Sequence, residues 1–134
     1  LEVLKEDAVK SISIANPKTA PYGAASMQAF EKAEILDAIK AKIVEAKSIG
    51  EALSQAMSAA DVGFVAASSM YSPKMAEYKE GVNFVLVDSS LYDPIAQGIV
   101  ILKKAENNAE AKAFYDFILG EKGKEIFAKY GYDF

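Results

Sequence analysis

The chain has no cysteine, no histidine and no tryptophan, and no arginine occurs along it. Without cysteine there is neither a disulfide framework nor a thiolate metal site, and the redox compartment is left open. Without histidine the commonest general base and metal ligand are gone, and without arginine so is the bidentate clamp for carboxylate or phosphate. Any anion site must then use backbone N–H, hydroxyl or lysine donors. No apolar run approaches the ~20 residues that cross a bilayer as a helix.

The 134 residues match one ordinary domain, which buries roughly two thirds of the surface its unfolded chain exposes. Fifteen lysines against 19 Asp plus Glu give a net charge of −4. No long-range field draws such a chain to a phosphate backbone or an anionic membrane, so nucleic acid is not an expected partner. The sequence opens at Leu1 rather than Met, inside a stretch that places Leu1, Leu4 and Ala8 on one helical face. We therefore expect a processed or truncated piece of a longer protein.

Strand and helix signals then alternate. Ser11-Ile12-Ser13-Ile14-Ala15 is a short β-branched run closed by Asn16-Pro17. A helix carrying Met27, Phe30 and Ala33 follows, then a short one at Ile39, then a strand over Ile43-Val44-Glu45-Ala46. Ser48 and Glu51 have capping-box spacing, the hydroxyl serving the Glu51 N–H and the carboxylate reaching back to the Ser48 N–H. Ile49 becomes the first helical residue, with Ala52, Leu53, Ala56 and Met57 as its core-facing stripe. Further strands are expected at Val62-Gly63-Phe64-Val65-Ala66, at Asn83-Phe84-Val85-Leu86-Val87 and, fully buried, at Ile99-Val100-Ile101-Leu102. Ser72-Pro73 opens a helix. Asn107 with Glu110 caps another that bears Phe114, Phe117 and Ile118 and stops at Gly120, and Ile126, Phe127 and Tyr130 line the last. The order is that of an α/β fold with a mostly parallel sheet covered on both faces.

Two of these helix starts carry chemistry. Ala15 to Ser26 runs from a strand through a twice-proline turn into a helix, and Ser48-Ile49-Gly50-Glu51 does the same more abruptly. First-turn N–H groups and the positive end of the helix dipole favour an anion, and two such ends can grip one oxyanion. Alone, a capping box is an ordinary device worth ~1 kcal/mol. The tyrosines Tyr71, Tyr78, Tyr92, Tyr115, Tyr130 and Tyr132 read as half-buried packing residues. Asp88 and Asp93 flank a serine-rich turn without metal-ligand spacing. The groups Lys103-Lys104 and Lys122, Lys124, Lys129 read as solvated faces.

With Ala15-Asn16-Pro17, Ala20-Pro21-Tyr22-Gly23-Ala24-Ala25, Val62-Gly63-Phe64-Val65-Ala66, Pro94-Ile95-Ala96-Gln97-Gly98, Ala113-Phe114-Tyr115-Asp116-Phe117, Ile126-Phe127 and Tyr130-Gly131 in this order, the chain resembles the molybdate-binding proteins of ABC transporters. These are two-lobed type II periplasmic binding proteins. The resemblance implies a preceding helical segment at 1–10, the second lobe over 11–92, and a returning strand and C-terminal helices over 93–134 that belong with an incomplete first lobe. The family's serine-bearing loops from the opposite wall of the cleft would precede Leu1. Carried over residue by residue, the site comprises the backbone N–H groups of Tyr22 and Ile49. One branch of the family adds a tyrosine hydroxyl at the position of Ala66, a contact this sequence lacks. Another branch shares the Pro21-Tyr22-Gly23 turn and does without it.

What the resemblance implies is a solute-binding protein that delivers molybdate or tungstate to an ABC permease, periplasmic or extracellular and either lipid-anchored or soluble. No cofactor, no protein-coordinated cation and no catalytic residue is expected. Molybdate, tungstate and sulfate are fully ionised near pH 7, so a donor-only cleft satisfies every oxygen, whereas hydrogen phosphate brings a proton with no acceptor. The alternative is an effector-sensing regulatory domain of the same fold. An enzyme ranks third, because the chain offers neither histidine nor cysteine and no nucleophile placed beside a base; turnover of an ester or phosphoester abolished by mutating Ser48 or Ser68 would revive it. Deprived of first-lobe partners, the C-terminal helices are expected to expose apolar surface and to self-associate or rearrange.

Overall fold

The computed structural model describes residues 1–133. Its sheet has three parallel strands, with β1 (Ile12–Ala15) between β2 (Ile43–Ala46) and β3 (Val62–Gly63). Ile12 pairs with Ile43 on one side and Val62 on the other, and Ala15 pairs with Ala46. All four residues of β1 are buried, as a strand covered on both faces requires.

Helix α1 (Pro21–Lys32) and the single turn α2 (Leu36–Ile39) connect β1 to β2, and α3 (Ile49–Ser58) connects β2 to β3. The pleat of β1 divides its side chains between these helices. Ile12 and Ile14 join Leu4, Val9, Phe30, Ile35 and Ile39 in the main apolar core. Ser13 points the other way, and its hydroxyl donates to Gln55 Oε1 of α3 at 2.7 Å. The helices α1 and α3 therefore cover opposite faces, the outcome of right-handed crossovers that step first to one side of β1 and then to the other. Phe64, just past β3, closes the core edge-on against Phe30 with ring centroids 4.7 Å apart.

The end of α1 is a Schellman turn. Ile35 N donates to Phe30 O at 3.0 Å and Glu34 N to Glu31 O at 2.9 Å, which places Glu34 at φ 57°. The flanking Phe30 and Ile35 both lie in the core, so apolar contact holds a glutamate where glycine is the usual occupant.

Four expectations are corrected. The N-terminal stretch forms a 3-10 turn over Glu2–Lys5, anchored by Leu4 and Val9, while Leu1 and Ala8 are exposed. Lys42 Nζ holds this segment by donating to Leu4 O at 3.0 Å and Glu6 O at 2.8 Å. The run Asn83 to Val87 is no strand: it makes an isolated bridge between Glu80 and Phe84 around Gly81, and Val82 and Val85 are 81% and 74% exposed. Ile99 to Leu102 is neither buried nor paired, with Val100 77% exposed. Both runs have β composition, but a strand exists only where a partner edge is in register, and no strand among the described residues offers one. The helix at Ser72-Pro73 reduces to a 3-10 turn, Pro73–Met75, with proline at its first position as expected.

The chain divides into two compact units, Leu1–Ala66 with Glu80–Ile95, and Ala67–Lys79 with Ala96–Phe134. Within the first, Gln28 of α1 and Asp93 exchange hydrogen bonds: Gln28 Nε2 donates to Asp93 Oδ2 at 2.9 Å and Asp93 N donates to Gln28 Oε1 at 3.0 Å. Lys32 Nζ lies 3.7 Å from the same carboxylate. The second unit holds α4 (Ala67–Met70), α5 (Ala109–Leu119) and α6 (Glu121–Lys129). Asn108, rather than Asn107, caps α5 through the Ala111 N–H at 3.0 Å. Gly123 lets the start of α6 close on the end of α5, since a Cβ there would sit 2.2 Å from Ile118 O. The chain then turns at Gly131 beside Tyr71, and the Tyr132 hydroxyl donates to Ser68 Oγ at 3.3 Å.

Candidate functional site

Both expected donors sit in the first turn of a helix. Leaving β1, Asn16 N donates to Ala46 O at 2.8 Å, so the ladder between β1 and β2 continues one residue past the strand. The Asn16 side chain then accepts from Lys18 N at 2.9 Å, and its carbonyl accepts from Ala20 N at 2.9 Å, turning the chain into α1. Pro21 fills the first helical position, where its missing N–H costs nothing. Tyr22 comes second, half-buried, and Gly23 third. A Cβ on Gly23 would stand 2.0 Å from the Ala15 carbonyl oxygen, so only glycine lets this turn press against the end of β1. The N-cap Ala20 supplies no side-chain cap, and the first turn contains no acidic residue, leaving the positive end of the dipole uncompensated by α1 itself.

At α3 the geometry is similar but the charge differs. Ser48 is the N-cap, and its hydroxyl accepts from Glu51 N at 3.1 Å. Here the expected capping box shifts by one residue, because the Glu51 carboxylate accepts from Lys47 N at 2.8 Å rather than from Ser48 N. Ile49 is the first helical residue, half-buried, and its N–H meets no acceptor among the described residues. Glu51 therefore places one carboxylate in the turn that offers the donor.

The two turns are brought together by the sheet. Each follows the carboxyl end of its strand, and the strands are parallel neighbours whose last residues, Ala15 and Ala46, are register partners. In open α/β sheets this edge is where ligands bind. Main-chain N–H groups at two helix starts can bind an anion by hydrogen bonding without moving a proton. Ala66, where a tyrosine hydroxyl would have stood, is a buried methyl group.

The other polar candidates have structural partners. Asp88 caps a 3-10 turn (Ser89–Leu91) through Ser90 N at 2.9 Å, and this N–H together with the Ser90 hydroxyl holds its carboxyl below the usual range. Asp93 is engaged with Gln28 and Lys32. Ser48 caps α3 and Ser68 receives Tyr132. No group of three or more acidic side chains fit to hold a metal ion occurs among the described residues, and no helix there is long and apolar enough to cross a membrane. Sequence reasoning missed the Gln28–Asp93 exchange, which joins residues 65 apart and leaves no local signal. It also missed the role of Gly23, for which a glycine at the third helical position after a strand was the available clue.

Comparison with known proteins agrees with this architecture. The family model described as bacterial extracellular solute-binding protein matches residues 1–133. The molybdate-binding protein ModA of Azotobacter vinelandii is 44% identical over 131 residues, covering 97% of this chain and 51% of that protein. ModA of Rhodobacter capsulatus is 40% identical over 131 residues, covering 97% and 49%. The structure of the Azotobacter vinelandii periplasmic molybdate-binding protein superposes with a TM-score of 0.80 at 33% identity, covering 99% of this chain and 58% of that one. The chain thus spans about half the length of the relatives it matches. From its end-to-end family match and its parallel α/β core, the chain belongs to the bacterial extracellular solute-binding protein family.

Proposed function

We propose that this chain supplies one wall of a tetrahedral-oxyanion site, for molybdate or tungstate, in a periplasmic solute-binding protein that serves an ABC permease. The backbone N–H groups of Tyr22 and Ile49 are the donors. The observation that carries this reading is the start of α1 and α3 at the carboxyl ends of neighbouring parallel strands. The names of the Azotobacter and Rhodobacter relatives support the choice of anion. Binding rather than turnover is the reading the chemistry favours: helix-start N–H groups offer donors, while Ser48 is engaged with the Glu51 N–H and Ser68 with the Tyr132 hydroxyl. Separation of molybdate and tungstate from sulfate rests on cavity size.

In this reading residues 11–92 belong to the second lobe and 93–134 return to the first, whose remaining donors come from another part of the gene product. The exposed Phe114, Phe117 and Ile126 then have partners outside this chain. A membrane anchor on the gene product is compatible with delivery to the permease. The deciding experiment is calorimetric titration of the whole gene product with molybdate, tungstate, sulfate and phosphate. Tight binding of the first two alone is expected, and silence toward all four would overturn the proposal.

A further inference from the structure

On the α3 face of the sheet the side chains are small. By the pleat, Ser13, Ala15 and Ala46 share that face, and all three are almost completely buried. Gly63 of β3 meets Ala56 of α3 so closely that a Cβ there would lie 2.2 Å from the alanine methyl, and Ala52 is fully buried on the same side. Small residues on both surfaces let α3 lie close, but they offer shallow ridges for interdigitation. Apolar burial is non-directional and resists sliding along the helix axis weakly. The directional contact on this face is the Ser13 hydroxyl, which donates to Gln55 Oε1 at 2.7 Å and lies 3.4 Å from Ala52 O. A fully buried hydroxyl in the centre of β1, where alanine would fill nearly the same space, has a desolvation cost that this bond offsets.

We infer that the Ser13–Gln55 hydrogen bond locks the axial register of α3, so that Ser13 is a positioning residue for the Ile49 N–H. This rests on the oxyanion reading given above. Gln55 lies six residues after Ile49, about 9 Å along the axis at 1.5 Å per residue, and a rigid helix carries a shift at Gln55 to its first turn unchanged. Ser13 touches no ligand in this scheme. It acts only through the helix.

The test is a cycle of Ser13→Ala, Gln55→Met and the double variant in the whole gene product, each titrated with molybdate. Amide hydrogen exchange of the α3 first turn is followed without ligand. Each single variant is expected to bind roughly tenfold more weakly, the equivalent of one hydrogen bond, and the double variant no more weakly than either, because one bond is shared. Exchange at Ala52, whose N–H donates to Ser48 O, is expected to quicken in all three relative to exchange in α1. Wild-type affinity in Ser13→Ala, or losses that add in the double variant, would overturn the lock. If the wild type binds no oxyanion, the site reading fails, and unchanged Ala52 exchange in Ser13→Ala would overturn the lock independently.

Discussion

Glu34 holds a left-handed backbone conformation, φ 57°, that costs a residue with a Cβ about 1 kcal/mol. Glu34→Gly is therefore expected to raise stability by at most about 0.5 kcal/mol after the entropy of the more flexible unfolded glycine is subtracted, a gain readable as a higher urea midpoint at unchanged slope. Gly23→Ala works in the opposite direction, since its methyl would be driven into the Ala15 carbonyl, a backbone atom that cannot swing away. A loss of roughly 3 kcal/mol in chemical denaturation is expected. On the proposed oxyanion reading Glu51 bears on binding: Glu51→Gln keeps an acceptor for Lys47 N but removes a negative charge from the turn that offers Ile49 N–H. Molybdate affinity should rise roughly two- to fivefold, and titration of the variant checks it. Asp61 makes a pH prediction. The Lys10 N–H, the Ser11 hydroxyl and the Ser11 N–H all donate to its carboxylate and hold its pKa below the ordinary value. A carboxyl with a depressed folded pKa contributes stability that is complete above its unfolded pKa and disappears as pH falls through the folded one. That contribution is expected to start falling below about pH 4 and to be gone only below the lower folded pKa, and Asp61→Asn should flatten the acid limb of the stability curve.

Elements that draw their pattern from neighbours in sequence are legible in the sequence itself. The twice-proline turn into a helix, Ser48 as cap, Gly120 as stop and the Phe114–Phe117–Ile118 stripe are local signals, and α1, α3, α5 and α6 follow them. Ser48→Ala is expected to cost about 1 kcal/mol by orphaning the Glu51 N–H, measurable as lost helicity in α3 or a lower melting temperature. The proposed donors Tyr22 and Ile49, which the resemblance singles out, fall at helix starts that the same local logic places. Strands were legible only when a partner existed. Ile12–Ala15 and Ile43–Ala46 pair in register, whereas Asn83 to Val87 and Ile99 to Leu102, richer in β-formers, do not. Pairing is a property of two segments, and one segment's composition carries half of the information. The one-residue shift in the Glu51 capping contact was likewise illegible, because Lys47 and Ser48 offer N–H donors that sequence spacing alone does not rank.

For the whole molecule, both compact units are discontinuous in sequence, each built from two stretches that interleave with the other's. The sheet and main core need only residues up to Phe64, all inside the first stretch. That stretch is expected to fold cooperatively, with Glu80–Ile95 docking afterwards through the Gln28–Asp93 exchange. Removing the exchange with Gln28→Ala should leave the protection of β1 amides intact while amides of 80–95 exchange faster, a difference native-state hydrogen exchange resolves. On a ribosome the order of events is then set by chain length. Tyr22 and Ile49 can reach their places while the C-terminal helices are still unmade, but Gln28 must wait for Asp93. During that interval the α1 face carries an open amide, and a chaperone or an exporting machine that handles the unfinished chain meets a formed sheet with a vacant clasp.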